Sequence, residues 1–343
     1  MKHLGILLST FLVAVIATGI VRRHALARNI LDIPNERSSH NLPTPRGGGL
    51  AIVVVATLAF AGLALFGVLK VDVLLALIGG IAVAIVGLLD DRHPLRAGIR
   101  LAIHVAAALW ALWWLGGLPP LRVANEIVQF SWTGYVLGAL GIVWTLNLFN
   151  FMDGIDGIAA SEAVYVVLGG AWLTASGDAG GVMTVAVVVA ATCGGFLLWN
   201  WAPAKIFLGD VGSGYLGYVI AVLALAAARH NSVAIWVWLI LGGVFFVDAT
   251  VTLLRRLLRG ERVYQAHRSH AYQWLARRWG SHSKVTCAVL IVNVLWLLPC
   301  AVFATRRPSL AAATVIFAFA PLVLLAIATS GRREANDRRH GWH

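Results

Sequence analysis

The feature that most constrains this chain is a succession of long apolar runs, at residues 4–21, 48–68, 72–89, 100–116, 134–150, 161–176, 181–199, 211–228, 233–254, 285–304 and 309–329. A bilayer-spanning helix needs about 20 apolar residues. Eleven such runs predict an all-α, polytopic integral membrane protein with about 11 transmembrane helices, built as a single domain over residues 1–343. Composition agrees, because 59% of the chain is hydrophobic, 12% is charged and the mean hydropathy is +0.82. Water-soluble domains do not reach such values.

The first run could pass for a signal peptide, but Arg22, Arg23 and Arg28 follow it and little charge precedes it. That order predicts a retained anchor with a periplasmic N-terminus. Alternation then places segments 22–47, 90–99, 151–160, 200–210 and 255–284, and the tail 330–343, in the cytoplasm. Of the 27 Lys and Arg residues, 21 fall on these segments or at their edges, and only Lys2, Lys70, Arg122, Arg229, Arg306 and Arg307 fall outside. The formal charge of +12 therefore reads as an orientation signal. Anionic headgroups or an anionic substrate are the partners it suggests, not nucleic acid. Cys193, Cys287 and Cys300 lie in apolar runs without C-x-x-C spacing, so neither a disulfide framework nor a cysteine metal site is expected.

Five of the 15 acidic residues form three clusters at expected cytoplasmic span ends: Asp90 with Asp91, Asp153 with Asp156, and Asp210. Carboxylates at such depth are costly unless solvated, paired or metal-bound, which makes the clusters a candidate site. From Asn147 through Asn150 and Asp153 to Asp156 a polar residue recurs every third position. On a helix that spacing gives one slowly winding polar ridge. Gly154 and Gly157 after the two aspartates leave room for a phosphate or another backbone. The plainer reading is a polar seam between helices, which would need neither the aspartates nor the glycines. Alone, Asp90-Asp91 could be a solvated helix end, and Asp210, between Gly209 and Gly212, could be an N-cap or part of a phosphate-attracting helix start. Acidic clusters meeting on one face suit Mg²⁺, shared between carboxylates and substrate phosphates. The basic run His267-Arg268-Ser269-His270 can neutralise a diphosphate. It could equally be a positive-inside loop, and it lacks a third ligand for zinc.

Taken together these motifs resemble the polyprenyl-phosphate N-acetylhexosamine-1-phosphate transferases, the glycosyltransferase family 4 group that includes phospho-N-acetylmuramoyl-pentapeptide transferase. The likeness covers nearly the whole chain. It runs from Asp32-Ile-Pro-Asn35-Glu-Arg37-Ser-Ser-His40 and Pro45-Arg46-Gly47-Gly48-Gly49, through Asp90-Asp91 and Asn147–Gly157, to Gly209-Asp210-Val-Gly-Ser213 and His267–His270. The resemblance implies Mg²⁺-dependent attack of a polyprenyl phosphate on the β-phosphorus of a UDP-N-acetylhexosamine, with release of UMP. Mn²⁺ is expected to substitute. Undecaprenyl phosphate would enter from the bilayer and the nucleotide sugar from the cytoplasm, at a site on the inner face of the bacterial inner membrane. By resemblance, Asp210 and Asn150 are metal ligands. Asp90, Asp91, Asp153 and Asp156 are the catalytic acids, the first pair near the lipid phosphate and the second pair in the nucleotide-sugar pocket. Arg46, Asn147, His267, Arg268 and His270 would contact substrate. A polyprenyl phosphate is already largely ionised at neutral pH, since its second pKa is roughly 6, so positioning and charge neutralisation matter more than a base. Asp248 resembles a family acid too and is expected to be a structural partner of nearby arginines. A homodimer is compatible with the resemblance.

His267-Arg-Ser-His270 departs from the consecutive histidines of the muramyl-pentapeptide enzymes, which points to the branch that initiates O-antigen or other surface polysaccharides, with UDP-GlcNAc or a 6-deoxy N-acetylhexosamine as donor. The muramyl-pentapeptide reaction is the alternative. Arg100 and His104 stand where relatives often have a basic residue and a glutamine, and imply an altered lipid-phosphate contact. A CDP-alcohol phosphotransferase matches Asp153-Gly-Ile-Asp156-Gly157-Ile-Ala-Ala160, but Ser161 stands where that motif needs arginine. A transporter would put acids near the midplane in two related halves, and no such halves are visible.

Overall fold

The computed structural model describes residues 2–34, 42–174, 181–261 and 269–339. Every apolar run of the sequence falls on a helix, the one structure in which an isolated segment satisfies all its own backbone groups in lipid. The order is α1 (Lys2–Ala27), α2 (Gly49–Leu65), α3 (Val71–Arg92), α4 (Ala97–Leu115), α5 (Thr133–Met152), α6 (Ile158–Thr174), α7 (Val182–Asn200), α8 (Asp210–Ala228), α9 (Ala234–Leu241) and α10 (Gly243–Leu258). Then come the short α11 (Ala271–Trp279), α12 (His282–Val292), a π-helical turn (Asn293–Leu297), α13 (Leu298–Arg306) and α14 (Ala311–Arg339). The protein is an all-α, multi-pass membrane protein.

Among the described residues, eight helical segments are long and apolar enough to cross a membrane. A ninth counts if α9 and α10, bent by 74° at Gly242–Gly243, form one span, while α2 and α6 are apolar but 17 residues long. Among the described residues there are two small antiparallel strand pairs, β1 (Leu31–Asp32) with β2 (Thr44–Pro45) and β3 (Leu121–Val123) with β4 (Glu126–Val128). The second lies in the 117–133 connection.

Helix α8 is the centre of the bundle, 94% buried and packed by α2, α3, α5, α6 and α9. Its glycines let neighbours approach to backbone distance, as small residues do between membrane helices. A Cβ on Gly217 would lie 2.6 Å from Leu146 Cα of α5, and one on Gly87 of α3 would lie 2.4 Å from the Asp210 carbonyl. The first contact holds α5 against α8 two turns in, and the second sets the C-terminal end of α3 on the first turn of α8. The three acidic clusters therefore meet at one end of the bundle.

Candidate active site

The segment before α2 builds one wall. Phe207 N–H donates to Pro45 O (2.8 Å), Gly48 N–H to Phe207 O (2.8 Å) and Gly49 N–H to Leu208 O (2.9 Å), a strand-like docking onto the loop before α8. Only glycine fits at 49, where a Cβ would stand 2.3 Å from Gly212 Cα, and Gly47 turns at φ +89°. This docking delivers Arg46 to the acids.

Asp91, at the end of α3, caps the first turn of α8. Its Oδ1 accepts the Asp210 N–H at 3.0 Å and its Oδ2 the Val211 N–H at 3.2 Å. The N-cap position itself is Gly209, so Asp210 is the first helical residue and its side chain is free for the site. Arg46 bridges the two aspartates, 2.7 Å from Asp91 Oδ1 and 2.9 Å from Asp210 Oδ1. Burial works against the guanidinium charge, but Asp91, Asp210, Asp32 and Asp153 outweigh it and hold the Arg46 pKa above its ordinary value.

Asp90 points the other way. It pairs with Arg100 of α4 and accepts the Leu95 N–H at 2.6 Å. A cavity of about 50 Å³ opens beside it, lined by Asp90, Arg100, His104, Asn147, Asn150 and Asp210 among others. Asn150 lines the cavity together with Asp210, and Asn147 donates to Val143 O within α5 at 2.7 Å. The lining thus brings together four of the residues singled out from sequence, with Arg100 and His104 beside them.

Asp153 sits at the C-cap of α5. Burial, then the charge of Asp210, raises its pKa well above the ordinary aspartate value against the pull of Arg46. Asp156 is turned away from that cavity, with Oδ2 accepting Ala204 N–H at 3.0 Å and Oδ1 lying 3.2 Å from His282 Nδ1. The same Nδ1 accepts the Asp156 backbone N–H at 3.4 Å, so the ring holds the turn at its backbone. One turn along α12, the Thr286 hydroxyl donates to Asp156 O at 3.1 Å. Asn200 ends α7, accepts Gly157 N–H and donates to Ile206 O, both at 3.0 Å, and so ties this turn to the loop before α8. No local sequence signal marks Asn200 or His282 for these roles.

His270 does not join this group. It stacks on Tyr272 and lies 3.3 Å from Asp248, whose carboxylate accepts the Ala271 and Tyr272 N–H groups at 2.9 and 3.0 Å. Asp248 therefore serves α11 and His270, which corrects the expectation that its partners are arginines. Tyr272 in turn donates to Phe151 O at 3.0 Å and fills the space beside Gly154, where a Cβ would be 2.2 Å from its hydroxyl. The room left by Gly154 is used by a tyrosine, not by a phosphate or a backbone. His267 and Arg268 lie outside the described residues.

Residues 73–228, the stretch holding Asp90, Asp91, Asn147, Asn150, Asp153, Asp156 and Asp210, match glycosyl transferase family 4. A probable undecaprenyl-phosphate N-acetylglucosaminyl 1-phosphate transferase of Bacillus subtilis is 30% identical over 295 residues, covering 84% of this chain and 81% of the relative. The chain belongs to glycosyl transferase family 4. A decaprenyl-phosphate N-acetylglucosaminephosphotransferase of Mycobacterium tuberculosis is 29% identical, over 84% of this chain and 78% of the relative. A phospho-N-acetylmuramoyl-pentapeptide-transferase of Moorella thermoacetica is 30% identical, over 66% of this chain and 74% of the relative. This family 4 member is thus a glycosyl-1-phosphate transferase of the polyprenyl-phosphate class.

The donor set suits a hard cation. Asp210 and Asn150 both line the cavity and bring a carboxylate and a carboxamide to it. Among the described residues no three Asp, Glu, His or Cys side chains form a ready cage. That fits Mg²⁺, which ordinarily takes one or two carboxylates and completes its shell with water and substrate phosphates.

Proposed function

We propose that this protein transfers an N-acetylhexosamine 1-phosphate, GlcNAc or a 6-deoxy sugar, from its UDP-sugar to undecaprenyl phosphate at the cytoplasmic face of the inner membrane. The product would start an O-antigen or other cell-envelope glycan. The observation that carries this reading is the convergence of Asp90, Asp153, Asp210, Asn150 and Arg46 at one end of an apolar bundle. A phosphate-handling site stands there within reach of lipid. An apolar cavity of about 280 Å³, lined in part by Ile142 and Thr145 of α5, Ile220 of α8 and Trp238 of α9, lies farther along the same helices. It offers room for a hydrocarbon chain whose phosphate reaches the polar end.

In the proposed reaction an oxygen of the lipid phosphate attacks the β-phosphorus of the donor. The bond from that phosphorus to the oxygen bridging to the α-phosphate breaks, and UMP leaves with that oxygen. Mg²⁺, held by Asp210 and Asn150 together with the donor phosphates, would neutralise charge at the diphosphate. Arg46 then has phosphate oxygens to bind in place of Asp91 and Asp210, and a guanidinium suits such planar two-point contacts. Arg100 and His104, beside Asp90, face the cavity from the α4 side and would hold the attacking phosphate. Asp90 orients Arg100. Asp91 and Asp156 act by fixing α8 and the α5–α6 turn.

The GlcNAc-type reading is favoured over the muramyl-pentapeptide reaction by coverage. The GlcNAc-phosphate transferases align over 83–84% of the chain, and the pentapeptide transferases over 60–66%. A donor labelled at its β-phosphorus tests the reaction. Transfer of the label into lipid is expected; label remaining in UDP would mean simple glycosyl transfer and would overturn the proposal.

A further inference from the structure

Away from the site, α6 carries a glutamate, Glu162, inside the apolar bundle. It is fully buried, and so is Asn293, the first residue of the π-helical turn between α12 and α13. Asn293 Nδ2 donates to Glu162 Oε2 at 2.5 Å, and the Tyr165 hydroxyl donates to the Asn293 carbonyl at 2.7 Å. Each partner keeps one polar atom, Glu162 Oε1 and Asn293 Oδ1, without a hydrogen-bond partner among the described residues. No ion pair reaches Glu162 among them. The titratable groups beside it are Tyr165 and Cys300 of α13, neither of which carries positive charge. Of the other helices packed on α6, α9 has no titratable residue, α7 has only Cys193, α5 only Tyr135, and α8 has Asp210, Tyr215 and Tyr218, none of them a cation. The cation of α13, Arg306, lies about 9 Å along the axis from Cys300. His282 and Lys284 lie at the start of α12, about 14–16 Å from Asn293 along the helix axis.

An ionised carboxylate in such surroundings would be an uncompensated buried charge, the costliest arrangement in a protein interior. Ionised, it would also leave two acceptors, the second carboxylate oxygen and the amide oxygen, competing for no donor. One proton removes both faults. A carboxylic acid donates from one oxygen and accepts at the other, and a primary amide does the converse. An acid–amide pair therefore closes a ring with two hydrogen bonds and no charge. A metal ion would need several oxygens, and this pair offers two. The π-helical turn is independent support, because such turns are rare and concentrate where a side chain has a specific task.

We propose that Glu162 and Asn293 form a proton-binding site inside the membrane domain, in which a neutral acid–amide pair locks α6 to the α12–α13 turn. Since α6 begins one residue after Gly157, this lock also anchors the turn that carries Asp153 and Asp156.

Infrared spectroscopy of the full chain in detergent, together with thermal unfolding across pH, tests the proposal. The wild type is expected to show the carbonyl stretch of a protonated carboxylic acid, lost in Glu162→Gln. A glutamine reproduces the neutral pair without the titratable proton, so that variant should keep its activity. Folded protein holds the proton more tightly than unfolded protein, whose glutamates titrate at about 4.3. The wild-type unfolding temperature should therefore fall relative to Glu162→Gln as pH rises above that value. Absence of the acid band, parallel pH profiles, or wild-type stability that depends on Na⁺ or K⁺ would overturn the proposal. Should Glu162→Gln fail to fold, Asn293→Leu decides, because removing the amide should shift the acid band, and an unmoved band would refute the pairing.

Discussion

The carboxylate of Asp91 receives the backbone N–H of Asp210 at 3.0 Å and, through its second oxygen, that of Val211. A side chain from α3 thus caps α8, and the adjacent acids have different duties: Asp91 secures the helix that presents Asp210, while Asp90 lines the cavity. Asp91→Ala is expected to lower stability by about 1 kcal/mol, the usual loss of a capping side chain, and to depress turnover. Asp90→Asn keeps an acceptor for the Leu95 N–H but loses the charge that pairs with Arg100, so it should lower turnover by more than its loss of stability accounts for. Thermal unfolding beside turnover for the two variants checks the division.

Arg46→Lys should fold, yet a single ammonium cannot replace a guanidinium that spans Asp91 and Asp210 and then engages phosphate. The expected result is about a tenfold or greater loss in kcat/KM, or roughly 1.4 kcal/mol, seen mainly as a higher KM for the UDP-sugar. Steady-state kinetics at saturating lipid measure it.

The acidic clusters were legible because aspartates are rare in this chain and conspicuous at span ends. Their meeting point was not, since it depends on Gly87 and Gly217 allowing α3 and α5 to touch α8, a tertiary fact that no local period records. Asn200 and His282 were missed for the same reason: each acts on a turn more than forty residues away in sequence. The apolar runs located the helices well, but hydropathy is blind to the bend at Gly242–Gly243 and to the π-helical turn at Asn293. Asp248 was assigned arginine partners by proximity in sequence, whereas its carboxylate caps α11.

His282 holds Asp156 through Nδ1 and should behave as a positioning residue. His282→Ala is expected to reduce kcat several-fold with less change in KM. His282→Asn, whose amide oxygen can accept the Asp156 N–H in place of Nδ1, should recover most of the loss. Equal activity in the two variants would contradict this role.

The raised pKa of Asp153 has a consequence for pH dependence. Its proton is released only above the ordinary aspartate range, so activity that needs the carboxylate should fall as pH drops through that raised value. A cation held beside Asp210 favours the ionised form. Increasing Mg²⁺ should therefore move the acid limb of the pH–rate profile to lower pH, and Asp153→Asn should abolish that movement.

UMP release by the purified chain in detergent, measured with a panel of UDP-N-acetylhexosamines, with and without undecaprenyl phosphate and Mg²⁺, tests the proposed transfer most directly. Release that requires donor, lipid and metal together, and that Asp210→Asn abolishes while its unfolding temperature stays near that of the parent, is the predicted result. Release without lipid or metal, near-normal turnover by Asp210→Asn, or no release with any donor would contradict it.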